Sequence, residues 1–165
     1  MTRRSAPLAL CTALLSLTLG CSDSTEPTSS DLVGRWATAP QDLQPNGWYV
    51  SYITFGADGS YLFDGRMYGV YGQPRDELSA YTRFEGVYSV RGDSVFRELR
   101  REVTWDRFYG ASSPERVMDL TGIPYYHSGA RYELRGPVLV LHYLTYPADA
   151  PVETTMILQA VDGSR

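Results

Sequence analysis

From Trp48 to Val161 the chain is a succession of short runs in which apolar and polar residues alternate, most of them closed by a turn rich in Gly, Asp or Pro. That two-residue period constrains the fold more than any other feature, because it places one face of each run in a core and leaves the other to water. Trp48 to Phe55 sets Tyr49, Ser51, Ile53 and Phe55 on one face, and Gly56-Ala57-Asp58-Gly59 then offers the backbone a tight turn. Ser60 to Tyr68 returns with Tyr61, Phe63, Gly65 and Met67 inward and Asp64 and Arg66 outward. Gly69 to Ser79 reads as a loop, and Tyr81 to Val90 as a strand with Phe84, Gly86, Tyr88 and Val90 on one face. Arg91-Gly92-Asp93 is a hairpin turn before it is an adhesion triplet, since Gly-Asp between two strand runs is turn chemistry.

Ser94 to Trp105 admits two readings. Val95, Phe96, Leu99 and Val103 fit a helical face with Ser94 as its cap, but the run follows a hairpin turn directly and ends in Val-Thr-Trp, which favours a strand. Asp106 to Tyr126 is the longest irregular stretch, with a short strand at Arg116 to Leu120. Ala130 to Arg135, Val138 to Tyr146 and Val152 to Val161 complete the series, with turns at Gly136-Pro137 and at Pro147 to Pro151. Eight or nine antiparallel strands joined in this way suit an all-β, up-and-down closed barrel, which leaves no edge to aggregate.

Ahead of these runs stands Leu32-Val33-Gly34-Arg35-Trp36, read as the first strand. Its Gly-x-Trp triplet resembles the opening signature of lipocalin-like barrels. Ile53 to Tyr61, Phe84 to Asp93 and Tyr132 to Leu141 look like the successive hairpins of small bacterial lipocalin-like domains. The resemblance implies that Trp36 plugs one barrel end and that Gly34 lets the entering chain lie close against it.

Met1 to Gly20 has a basic end at Arg3 and Arg4 and an uncharged apolar run from Ala6 to Leu19. It reads as an export signal, because a bilayer span needs roughly 20 apolar residues. Leu17-Thr18-Leu19-Gly20-Cys21 resembles a lipobox, which makes Cys21 the lipidated first residue of the mature chain. Ser22 in second place implies the outer membrane by the enterobacterial sorting rule. Ser22 to Asp31 contains no apolar residue and is expected to be a flexible tether. The expected organisation is therefore a leader over 1–20, an anchor and tether over 21–31, and one barrel domain over 32–165. With Cys11 removed and Cys21 acylated, no thiol remains for a disulfide or a nucleophile.

Without the two leader arginines the formal charge falls from −4 to −6. An acidic chain without a basic patch is a poor match for nucleic acid or for an anionic lipid surface. The sequence holds only 2 histidines, His127 and His142, and contains no HExxH, GxSxG or phosphate-cradling glycine loop. We expect no enzyme, no cofactor and no metal, and a monomer attached to the membrane through its N-terminal lipid.

Thirteen tyrosines exceed what a core of this size needs, which leaves many rings half exposed near strand ends. They fit a barrel mouth that holds an apolar or aromatic ligand or meets a protein surface, or equally an amphipathic sheet wall. If Ser94 to Trp105 is extended, Arg97 and Arg101 share parity with Val95, Leu99, Val103 and Trp105, and carry guanidinium groups into or beside the interior. Such charge needs a partner. It can be a ligand carboxylate gripped by the guanidinium fork, or solvent and a neighbouring Glu with the arginine stems lying along the wall. The candidate ligand-binding residues are Arg97, Arg101, Tyr49, Tyr88 and Trp105. Two functions follow: a membrane-anchored barrel holding a small apolar or amphipathic molecule, or an envelope interaction protein whose filled barrel is a scaffold for protein-binding loops.

Overall fold

A computed structural model describes residues 29–110, 112–123, 127–145 and 150–161. The leader, Cys21, the tether before Ser29 and the expected turn at 147–149 lie outside the described residues.

Ten antiparallel strands follow a single helical turn, α1 (Ser29–Leu32). They are β1 (Gly34–Thr38), β2 (Gln41–Leu43), β3 (Gly47–Phe55), β4 (Ser60–Tyr68), β5 (Leu78–Arg91), β6 (Ser94–Asp106), β7 (Arg116–Asp119), β8 (His127–Arg135), β9 (Val138–Thr145) and β10 (Val152–Ala160). Eight of them close an up-and-down barrel, and β2 and β7 are extra strands laid beside β3 and β6. Closure comes from β1, which pairs with β3 from Gly34↔Phe55 to Ala37↔Tyr52 and with β10 from Trp36↔Ala160 to Thr38↔Leu158. Ser94 to Asp106 is strand, as its Val-Thr-Trp ending favours.

Leu32 does not begin the first strand. It ends the helical turn instead, fully buried, and its carbonyl accepts a hydrogen bond of 2.9 Å from the Trp36 indole Nε1. Gly34, between them, takes φ +137°, a conformation that side-chain-bearing residues rarely adopt, and this lets the chain turn from helix into β1. Trp36 is buried to 1% exposure at this end of the barrel. Around it pack Phe55, Tyr132, Leu139 and Leu158, drawn from strands all round the barrel. One end of the barrel is therefore filled with side chains.

The turns at the same end follow their residues' chemistry. Asp58 Oδ1 accepts from the Ser60 amide at 2.9 Å while Gly59 takes φ +82°, closing the β3–β4 hairpin. At the opposite end the β4–β5 loop is tied down on two sides. Arg75 reaches Asp42 at 2.6 Å, the Trp48 indole donates to the Arg75 carbonyl at 2.9 Å, and Arg107 pairs with Glu77. Asp106 caps a short 3-10 turn, Arg107–Tyr109, by accepting from the Phe108 amide at 2.8 Å. Asp106 and Arg107 in this way hold the loops at this end.

Candidate functional site

Above the filled end the inner faces of β3, β4, β5, β6, β9 and β10 diverge around a cavity of about 840 Å³. Its apolar wall is built from Ile53, Phe63, Phe84, Leu99, Leu141 and Met156, each on the inward parity of its strand. Hydroxyls of Tyr49, Ser51, Tyr61, Tyr143 and Thr154 interrupt that wall. Arg97 is the one charged side chain among the described residues that line it.

Arg97 stands one inward position beyond Val95, which belongs to the filled core, so its guanidinium lies at the cavity floor. Its Nη1 donates to the Tyr61 hydroxyl at 3.1 Å, and the guanidinium carbon is 5.6 Å from the Tyr61 ring centroid. Tyr143 lines the same space. Burial raises its phenol pKa, and the positive charge of Arg97 pulls the other way.

Tyr49 also faces the cavity, and its hydroxyl accepts from Ser51 Oγ at 2.8 Å. The ring has room because residue 65 is glycine: a Cβ there would lie 2.6 Å from the Tyr49 hydroxyl.

Arg101 and Trp105 are not interior, contrary to the parity expected for an unbroken strand. Gly86 pairs with Leu99 but Glu85 pairs with Arg101, so Arg100 is an extra residue in β6 and every side chain beyond it changes face. Arg101 points outward, half exposed, and meets Glu85 at 3.1 Å. Trp105 stacks on Tyr81 across the outer face with ring centroids 5.9 Å apart. Val103 is buried on that outer face too, in register with Arg83 and Val117. Of the two arginines, only Arg97 has the interior position.

Tyr88 does face inward, but it is not part of the cavity wall. Its ring meets Phe55 edge-on at 4.9 Å, and its hydroxyl donates to the Gly56 carbonyl at 3.0 Å, which ties it to the filled end. His142 is on the outside, with Nδ1 3.2 Å from Thr155 Oγ1 and Nε2 3.3 Å from Glu133. The side chain of His127 lies outside the described residues.

Sequence reasoning missed the cavity's opening. The β1–β10 ladder ends at Thr38↔Leu158, and Ala39-Pro40 then leads into β2, which pairs with β3. The first half of β10 is left beside that corner. Thr155 and Ile157, which have outward parity, line the cavity together with Ala39 and Gln41, so the space reaches the surface through this seam. Pro40, which has no N–H to give to a ladder, was the available signal. Tyr143 was legible as well, because it continues the inward series Leu139, Leu141.

Comparison of the chain with protein-family models and with curated proteins finds no match. Among the described residues no group of His, Cys, Asp or Glu is arranged as a metal's ligands would be.

Proposed function

We propose that this protein is a lipid-anchored envelope protein whose barrel binds one small apolar or amphipathic molecule, and that it performs no catalysis. The cavity carries the reading. At about 840 Å³ it falls in the range of about 300–1,000 Å³ typical of small-molecule sites, with a mainly apolar wall and a few convergent polar groups. The barrel is filled at one end and open at the other, which is the division a container needs. Anchoring at Cys21, at the outer membrane, is supported by the lipobox-like Leu17 to Cys21 and by the polar tether that follows. The likeness to small bacterial lipocalin-like domains points the same way.

An interaction role for the loops has one observation in its favour. Tyr71 and Phe108 pack ring to ring at 5.5 Å beside the open end, 52% and 69% exposed. Such a pair suits a protein surface, but it needs no cavity.

Native mass spectrometry of the delipidated barrel, purified from its own host, tests the binding reading. A retained small molecule that departs on collisional activation is the expected result; a bare protein mass across independent preparations would count against it.

A further inference from the structure

The cavity has a chemical direction. Its floor carries a permanent cation, Arg97, beside the Tyr61 hydroxyl, its middle is walled by Phe63, Phe84, Leu99 and Met156, and its outlet lies at the seam of Gln41 and Ile157. We propose that the ligand is a long-chain monocarboxylic acid, bound head-first, with its carboxylate at Arg97 and Tyr61 on the floor and its chain extended toward the seam. This rests on the ligand-binding reading above and adds the head group and the orientation to it.

Three observations carry the inference. A guanidinium presents a planar set of donors that match a carboxylate's two oxygens, and these bonds strengthen where water is excluded. No Asp or Glu is among the described residues that line the cavity, so no wall carboxylate repels an incoming anion there. The apolar wall lies between the cation and the outlet, so a ligand that puts its carboxylate on Arg97 must lay its chain along Phe63, Leu99 and Met156. A ligand held the other way round would leave its charge hydrated at the outlet but lay its tail against a guanidinium, which is unfavourable. Tyr143 lines the same cavity and brings a further hydroxyl to its wall.

The test compares dodecanoic acid with dodecanol, which share a chain and differ only in the head, by isothermal titration calorimetry on the delipidated protein. The wild type is expected to bind the acid at least about tenfold more tightly than the alcohol, as a charge-assisted bidentate contact requires. In Arg97→Met that ratio should fall to about one, and in Tyr61→Phe it should fall part of the way. Comparable binding of acid and alcohol by the wild type overturns the head-first assignment and leaves the cavity reading standing. A ratio that survives Arg97→Met overturns it too, and Arg97→Gln replaces that variant if the methionine form does not fold. Failure of both ligands to bind removes the binding reading and this inference together.

Discussion

Gly86 and Glu98 approach across the β5–β6 ladder so closely that a Cβ on Gly86 would lie 2.1 Å from the Glu98 carbonyl oxygen. The contact is with backbone, which has no rotamer through which to escape. It is also the place where β6 takes in Arg100 as an extra residue, so a glycine on one strand permits the bulge that decides which arginine enters the barrel. Gly86→Ala is expected to destabilise the protein by about 1–3 kcal/mol, the cost of forcing added volume into a packed site. Urea unfolding would show this as a lower midpoint at unchanged slope. A change below about 0.5 kcal/mol, the level of an ordinary surface substitution, would mean that the strands can part without penalty.

Trp36 supplies the largest fully buried side chain, held by its indole bond to Leu32. Trp36→Ala should cost about 3–5 kcal/mol, as truncation of a buried large aromatic does. A loss below about 1 kcal/mol would show that the filled end stands without it.

The strands were legible because a period of two survives in nearly every run, and the hairpins because Gly59, Gly92 and Gly136 stand where positive φ is needed. The inner faces of β3, β4 and β5 follow from the same alternation. The reading of β6 failed beyond Leu99, since nothing in Arg100-Arg101-Glu102 marks a bulge and the residue that permits it, Gly86, lies on another strand. Arg97 was found because it precedes the bulge, and Arg101 was misplaced because it follows. A floor shared by Arg97 and Tyr61 joins two strands, and no single stretch of sequence records that meeting.

Alkaline pH offers a separate check on the contact between Tyr81 and Glu115. Burial first, and then its hydrogen bond to Glu115, push the Tyr81 phenol up to about 12. A folded-state pKa raised above the unfolded value of about 10 means that the stabilisation is complete below pH 10 and is lost as pH rises through about 12. Melting temperature should therefore decline across this window, less steeply in Tyr81→Phe. Tyr88, Tyr132 and Tyr143, all raised chiefly by burial, add to the slope in both proteins. Equal slopes in wild type and variant would show that Tyr81 is not held by its surroundings.

Cys21→Ser is expected to move the processed protein from the membrane fraction to the soluble one without altering the melting temperature of the barrel. The polar residues after Cys21 separate anchor from core, so loss of the lipid should not reach the packing around Trp36. Persistent membrane association of the processed variant would contradict lipid anchoring at this residue.

The central claim, that the barrel interior is a binding site, is tested most directly by titrating the delipidated protein with an uncharged alkyl-chain fluorophore, alongside Leu99→Trp. Leu99 lines the cavity wall where it meets the filled core, and an indole there would occupy ligand space. The account predicts saturable binding of one equivalent by the wild type and at least about a tenfold loss of affinity in a folded Leu99→Trp. Absence of saturable binding, or equal affinity in the two proteins, would contradict it.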